Sequence, residues 1–429
     1  MKQSLKKRLW LLILIALANL NAQCAPVWSY SDPELAKVDK YIDQGQSSEA
    51  ISIVRKMIEE KKGPAEAFEL YSLIMFFDSA RGTDDKAFAC ARDAARMNPR
   101  SAHILATFAL MLCEKKKYEE GIKIIKRAFD LNPKDARSHA IAAYLYKKVE
   151  DIPAANSQME EALKLDSKSR DVNYLAGKFY WEEIEGNKVE ECYKRWLKYQ
   201  PNSALAHYKT ACYFKDSGRN EEAISECKKA IALNDKYMLA RLLWQQIVFK
   251  QKKYKEAAEL YTNFMKMCFQ SQTTYWPRAE CYAALNEPQK AIDDFTKAIN
   301  FISPTLAKEG LVKLGKHMSK HEKKDQIKLW IARSQQYTKM QNHKKAIEDM
   351  NLLTAAFPDN PSIIYAHAKT LEAAKKYPEA LKDANQLVAL DTDVSQWLRF
   401  KADILKKMGR EQEAKDVAKR ADTLELSGK

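Results

Sequence analysis

The chain has 429 residues, with only 11 glycines and 13 prolines against an apolar fraction of 46%. Turn-rich β architectures and Gly-rich loops need more of both residues, so the composition favours a helical protein. The formal charge of +15 favours acidic partners or an anionic surface, but the basic residues are scattered among 57 acidic ones and no nucleic acid is expected.

The first 22 residues are typical of a secretory signal peptide. Four basic residues precede a twelve-residue apolar run from Leu9 to Leu20, and small and polar residues follow it. The run is shorter than the roughly 20 residues that span a bilayer. Cleavage is expected between Ala22 and Ala25, most simply after Ala22. It would remove four basic residues and no acidic one, which takes the charge from +15 to +11. A periplasmic or secreted protein without a later transmembrane segment is expected. A lipid anchor on Cys24 is less favoured because a glutamine precedes it.

An alanine set among charged residues recurs along the rest of the chain, and eight of its ten intervals are 34 residues long. The positions are Ala50, Ala87, Gly121, Ala155, Val189, Ala223, Ala257, Ala291, Ala346, Ala380 and Ala414. Small residues recur twelve positions earlier, as at Ala109 and Ala143, and prolines recur twelve positions later, as at Pro99 and Pro133. This spacing predicts pairs of helices of about 13 residues, because small side chains let two helices approach closely and proline ends each pair.

One copy carries the pattern most completely. It reads Pro277-Arg278-Ala279-Glu280-Cys281-Tyr282, followed by Lys290-Ala291-Ile292-Asp293-Asp294-Phe295-Thr296-Lys297-Ala298-Ile299. This copy resembles the tetratricopeptide repeat (TPR) family almost residue for residue. The resemblance implies an all-α, right-handed superhelical solenoid of about eleven antiparallel helix pairs that binds proteins and needs no cofactor or metal. Two departures are a tryptophan at Trp196, where alanine is usual, and the lack of a small residue in the first helix of the first two copies.

The repeats predict a simple domain organisation. A linker over 23–31 follows the signal peptide, and about eight repeats occupy 32–302. The one interval of 55 residues places an insert at 303–325, with a possible short helix, and about three repeats follow over 326–426. The insert is expected to be a bulky loop, with a hinge as the alternative.

TPR proteins usually bind ligands in the concave groove lined by the first helix of each repeat, helix A. The resemblance therefore implies a set of groove positions outside the buried pattern. These candidate partner-binding residues are His103, Arg137, Tyr144, Tyr174, Lys178, Tyr208, Lys209, Lys215 and Gln246. A mixture of tyrosine and lysine suits an extended acidic peptide, since aromatic side chains anchor a peptide and charges steer it.

Lysines cluster where helix A is expected to turn into the second helix, helix B. The clusters lie at 115–117, 147–148, 250–255, 375–376 and 406–407. Ordinary polar turns are the simpler interpretation. The alternative is a basic ridge, and hence an adaptor for an anionic cell-envelope polymer or lipid surface.

Motifs for catalysis are weak. The segment 310–317 resembles a phosphate-binding loop, but His317 stands where a serine or threonine should hold magnesium. His317 and His321 could share a helix face, yet lysines surround them and no carboxylate completes a metal motif. The eight cysteines form no CxxC pair and most are expected to be buried hydrophobes. The sequence therefore predicts an exported interaction scaffold that is not an enzyme.

Overall fold

A computed structural model of the chain describes residues 32–60, 63–77, 85–182, 186–267, 270–302, 319–391 and 394–426. These residues contain 22 α-helices and no strand. The predicted leader, the linker and the segment that resembles a phosphate-binding loop lie outside the described residues. None of the helices described combines the length and apolarity that crossing a bilayer requires.

The helices form eleven pairs, so odd-numbered helices are helix A of a repeat and even-numbered helices are helix B. The first twelve are α1 Pro33–Asp43, α2 Ser47–Glu59, α3 Ala65–Phe77, α4 Asp85–Met97, α5 Ala102–Glu114, α6 Tyr118–Leu131, α7 Ala136–Lys148, α8 Ile152–Leu165, α9 Arg170–Glu182, α10 Gly186–Tyr199, α11 Ala204–Asp216 and α12 Asn220–Leu233. The other ten are α13 Met238–Lys250, α14 Tyr254–Met267, α15 Gln272–Ala284, α16 Pro288–Ile302, α17 Lys320–Lys339, α18 His343–Ala356, α19 Pro361–Ala373, α20 Tyr377–Leu390, α21 Ser395–Lys407 and α22 Glu411–Leu426. The all-α array of helix pairs is confirmed.

The chain divides within α13 into two compact units, unit 1 up to Trp244 and unit 2 from Gln245 onward. Helix α17 has 20 residues against 13 in most A helices, because it begins at Lys320, inside the stretch assigned to the insert.

Both registers of small residues are buried where helix A meets helix B of the same repeat. Ala109 and Ala143 on A helices and Ala155 and Ala223 on B helices are fully buried. The expectation that the second copy lacks a small residue in helix A is wrong. Ser72 takes that position and its Oγ donates to the carbonyl of Ala87 at 2.8 Å. The connection in this repeat is three residues longer, which hid the register in the sequence.

The tryptophan that departs from the family pattern lies in the core of its repeat. Trp196 on α10 is fully buried and its Nε1 donates to Gln200 Oε1 at 2.8 Å. Its neighbour Tyr193 packs against Gly177 so closely that a Cβ there would lie 2.9 Å from the ring. The large side chain of Tyr193 on helix B is thus matched by a glycine on helix A.

Each described A–B turn places a left-handed residue two positions after helix A ends. These residues are Gly45, Lys116, Glu150, Gly218, Lys252, Asn286, Gln341, Lys375 and Gly409, with φ between 58° and 77°. This conformation costs an L-residue roughly 1–2 kcal/mol and costs glycine little. The lysines at this position are therefore not favoured by the backbone.

Candidate interaction surfaces

The predicted groove residues are distributed over five A helices. His103 lies on α5, Arg137 and Tyr144 on α7, Tyr174 and Lys178 on α9, Tyr208, Lys209 and Lys215 on α11, and Gln246 on α13. Arg137, Tyr144 and Tyr174 are buried, contrary to the expectation that all nine lie outside the buried pattern. The reason is that A helices of unit 1 contact one another across the face that they line. We call this the closed face.

A buried carboxylate organises one end of the closed face. Glu69 on α3 accepts hydrogen bonds from Arg137 Nη1 at 2.9 Å and from Thr107 Oγ1 at 2.8 Å, and His103 Nδ1 lies 2.9 Å from its other oxygen. Burial acts to raise the pKa of Glu69, but His103 and Arg137 outweigh it and the pKa lies below the ordinary value. The carboxylate is therefore held ionised by three partners on α5 and α7.

The network continues from α7 to α1. Arg137 Nη2 also pairs with Asp171 on α9. The neighbouring Arg170 donates from Nε to Asp171 at 2.8 Å, from Nη2 to Asp39 at 2.9 Å and from Nη1 to Asp43 at 3.2 Å. Burial raises the pKa of Asp43 to about 6, although Arg170 opposes that shift. Asp39 and Asp43 belong to α1, so the network joins the first repeat to the fifth.

Further contacts fix the end of α1. Ser203 Oγ donates to the carbonyl of Asp43 at 3.3 Å, and Asn234 Nδ2 donates to the carbonyl of Gln44 at 2.8 Å. A Cβ on Gly45 would lie 2.6 Å from the ring of Tyr237. Residues of the fifth and sixth repeats, together with Tyr237, thus contact the end of α1 within unit 1.

Aromatic rings fill the remaining part of the closed face. The Tyr174 ring lies edge-on to Phe77 and Trp196, with centroids 5.1 and 6.2 Å away. Lys178 Nζ lies 5.4 Å from the Tyr144 ring centroid, and Lys209 Nζ lies 5.1 Å from that of Tyr174. These predicted binding residues therefore contact one another.

The other predicted residues are more accessible. Tyr208 packs edge-on against Tyr237 with centroids 5.4 Å apart, and Lys215 pairs with Asp216 at 2.5 Å. Gln246 is exposed and belongs to unit 2. A role in partner binding stays a prediction for all nine residues.

Unit 2 presents a different A-helix face, which we call the open face. Trp276, Ile331 and Tyr365 occupy the same helical position on α15, α17 and α19, and each is half-buried. Four residues further along each helix, Glu280, Gln335 and Lys369 are exposed. The Tyr365 ring also packs against Trp397 on α21, with centroids 5.4 Å apart. The result is a row of partly accessible apolar side chains flanked by polar ones.

The sequence contained a signal for this row. Adding repeat lengths of 34 to Tyr174 gives Tyr208, then Leu242, then Trp276. Adding 55 across the insert gives Ile331, and adding 34 again gives Tyr365. The candidate residues expected from the sequence end at Gln246 and so do not include this row.

The arginines beneath the open face have their carboxylate partners within their own repeats, and each also donates to a threonine of the preceding repeat, Thr262 or Thr296. Arg278 makes two hydrogen bonds to Asp294, at 2.6 and 2.8 Å, and Arg333 makes two to Asp349, at 2.9 and 2.8 Å. Each acid lies 16 residues after its arginine, on helix B of the same repeat. These pairs connect helix A to helix B. In the exposed polar row, Glu280 accepts from Trp276 Nε1 at 2.9 Å and Lys369 pairs with Glu372 at 2.9 Å.

The A–B turns differ in charge between the two units. Counting the seven residues before each repeating alanine slot, the six turns of unit 1 hold 8 basic and 15 acidic residues, and the five of unit 2 hold 12 basic and 5 acidic ones. All twelve basic side chains in the A–B turns of unit 2 are exposed. We call them the basic turn edge: Lys250, Lys252, Lys253, Lys255, Lys290, Lys339, Lys344, Lys345, Lys375, Lys376, Lys407 and Arg410. Basic residues thus outnumber acidic ones only in the turns of unit 2, and the lysine ridge over both units stays a prediction.

Within the described part of the chain, no group of three or more His, Cys, Asp or Glu side chains is placed to hold a metal ion. His317 lies outside that part. Five of the six cysteines among the described residues are buried, at Cys90, Cys113, Cys192, Cys227 and Cys281, as expected for small hydrophobic residues.

The sequence matches no family model. Similar solved structures include YrrB, described as a TPR protein with an unusual peptide-binding site, at 12% identity over 48% of this chain and 95% of that chain, with a TM-score of 0.38. PilF of Pseudomonas aeruginosa is 16% identical over 51% of this chain and 94% of that chain, with a TM-score of 0.38. A human IFIT1 dimer with PPP-AAAA is 15% identical over 82% of this chain and 81% of that chain, with a TM-score of 0.42. The chain is thus similar to TPR-containing structures.

Proposed function

We propose that the protein is an exported, non-enzymatic scaffold that holds an extended segment of a partner protein on the open face of unit 2. The observation that carries this proposal is the row of Trp276, Ile331 and Tyr365, which are half-buried and aligned on successive A helices. Partly exposed aromatic side chains with polar neighbours are typical anchors of protein interfaces.

The spacing of the row indicates what the partner contains. Packed helices lie about 8–10 Å apart, and an extended chain advances about 3.3 Å per residue. A partner with an apolar side chain at about every third residue therefore matches successive repeats. The exposed Lys369 and Lys328 beside the row favour acidic residues in between.

The closed face is the less suitable surface because its charges already have partners. Arg137 and Arg170 are bound by Glu69, Asp171 and α1 carboxylates. A partner entering there would have to replace buried ion pairs, and breaking such pairs is costly. We therefore place partner binding on the A helices of unit 2, rather than on those of unit 1 as expected from the sequence.

Site-specific photocrosslinking in intact cells tests the surface. A photoreactive residue at Gln335 or Lys369 on the open face is expected to capture one or more discrete proteins. The matched control is Lys382, which is exposed on helix B of unit 2 and faces away from the A helices. Capture from Lys382 alone, or equal capture from all three sites, would exclude the open face as the binding surface.

Export is tested separately. The leader predicts that the mature chain begins near Gln23, and mass spectrometry of the protein from a cell fraction identifies its N-terminus. An intact Met1 on cytosolic protein would overturn the proposal of export. The alternative function, binding to an anionic polymer or lipid surface, would use a different surface, the basic turn edge.

A further inference from the structure

The basic turn edge combines charge with exposed apolar side chains. Residues 245–429 contain 32 basic and 23 acidic residues, a formal charge of +9. Residues 23–244 contain 36 and 34, a charge of only +2. Leu285 and Met340, at the ends of A helices in the same edge, are exposed by 37% and 43%. Charge and apolar contact are thus offered together on one side of unit 2.

One depression brings both kinds of side chain to a single place. It has a volume of about 590 Å³ and lies between the turns of the seventh and eighth repeats. It is lined by three cations, two carboxylates, a tyrosine and a leucine: Lys252, Lys253, Lys255, Glu256, Glu259, Tyr254 and Leu285. Cations beside a tyrosine and an apolar side chain match the headgroup region of a bilayer, where anionic groups border hydrocarbon.

Two lysines of the basic turn edge occupy a turn position that the backbone does not favour for them. Lys252 and Lys375 both hold the left-handed turn position with φ of 60°, which Gly218 and Gly409 hold in other repeats. Glycine would relieve the strain at this position. Lysine there therefore lowers stability while it adds an exposed positive charge to the edge.

Neighbouring acids do not neutralise the edge. Lys290 pairs with Glu287 at 2.6 Å, Lys376 with Glu379 at 3.7 Å and Arg410 with Glu413 at 2.6 Å. These three pairs are exposed, and exposed pairs are weak. Lys407 also pairs with the partly buried Glu372 on α19. Twelve basic residues against five acidic ones in these turns leave a clear positive excess.

We propose that the basic turn edge of unit 2 docks on a lipid bilayer that carries anionic headgroups, with Leu285 and Met340 entering the headgroup region. An anionic polymer would match the lysines equally well, but it offers nothing to the apolar side chains. This surface is separate from the open face, so membrane docking and partner binding can fail independently.

The test is co-sedimentation of the chain lacking residues 1–22 with vesicles of phosphatidylcholine, with and without phosphatidylglycerol. Binding is expected only to the vesicles with phosphatidylglycerol. Each lysine close to an anionic bilayer contributes about 1 kcal/mol, so Lys252→Gly combined with Lys375→Gly is expected to weaken binding about 25-fold. The same double variant is expected to raise the thermal midpoint, because glycine relieves the turn. The loss of binding therefore cannot come from unfolding.

Two further variants make the result specific. Lys116→Gly removes a left-handed lysine from the equivalent turn in unit 1 and is expected to leave vesicle binding unchanged. Leu285→Gln combined with Met340→Gln is expected to weaken vesicle binding several-fold without affecting binding to soluble polyphosphate. The proposal is overturned by absence of binding to vesicles with phosphatidylglycerol, by equal loss in Lys116→Gly, or by polyphosphate binding alone. Vesicle binding unaffected by Leu285→Gln and Met340→Gln would also overturn the apolar part of the contact.

Discussion

Units 1 and 2 are built from the same helix pair but satisfy their charged side chains in different ways. In unit 1, Arg137 reaches Glu69 at a separation of 68 residues, and Arg170 reaches Asp39 at a separation of 131. In unit 2, Arg278 and Arg333 bind acids only 16 residues away, within the same repeat. The buried arginines of unit 1 thus have carboxylate partners across repeats, whereas Arg278 and Arg333 of unit 2 have them within one repeat.

The largest expected effect is the loss of a central cation of unit 1. Arg137→Met leaves Glu69 and Asp171 buried without their shared partner, so the free energy of unfolding is expected to fall by about 3–5 kcal/mol. Arg278→Met leaves only Asp294 without its cation and is expected to cost less. Urea unfolding followed by fluorescence measures both variants. Equal losses would contradict the difference between the two units.

Tyr174 and Tyr365 occupy the same position of helix A in the two units and can therefore be compared. Tyr174 is buried between Phe77 and Trp196, and Tyr365 is half-buried on the open face. Tyr174→Ala is expected to cost about 3 kcal/mol because it leaves a cavity, and Tyr365→Ala about 1 kcal/mol. Thermal unfolding of the two variants checks the ranking. A larger loss for Tyr365→Ala would show that the open face is part of the core.

Periodicity predicted the helix pairs but could not predict the closure of unit 1. The spacing of 34 residues reports which residues meet within a pair, because small side chains mark that contact at Ala109 and Ala143. The partners of Arg137 and Arg170 lie in other repeats, and no local pattern relates them. Glu69 was further hidden by the three-residue shift around Ser72. The row at Trp276 and Tyr365, in contrast, follows from the repeat length alone.

A smaller effect is expected from Asp43, whose pKa is raised by burial to about 6 from 3.8. The folded state therefore holds this proton more tightly than the unfolded state does. The contribution of Asp43 to stability is greatest below pH 4, falls as the pH rises to about 6 and is unfavourable at pH 7. Asp43→Asn is expected to increase stability at pH 7 by on the order of 2 kcal/mol.

The pH profile of that variant supplies the check. Asp43→Asn removes the fall in stability between pH 4 and pH 6, and its unfolding free energy should approach that of the parent chain at pH 4. Arg170 keeps Asp39 and Asp171 as partners in this variant. A variant less stable than the parent at pH 7 would mean that Asp43 is a favourable partner of Arg170.

Hydrogen–deuterium exchange across α1 tests the closure of unit 1 most directly. The contacts of Arg170, Ser203 and Asn234 predict that the amides of α1 exchange far more slowly than those of a frayed terminal helix. Arg170→Met is expected to accelerate exchange in α1 while α19 and α21 of unit 2 remain as in the parent chain. Fast exchange of α1 in the parent chain, unchanged by Arg170→Met, would contradict the closed face.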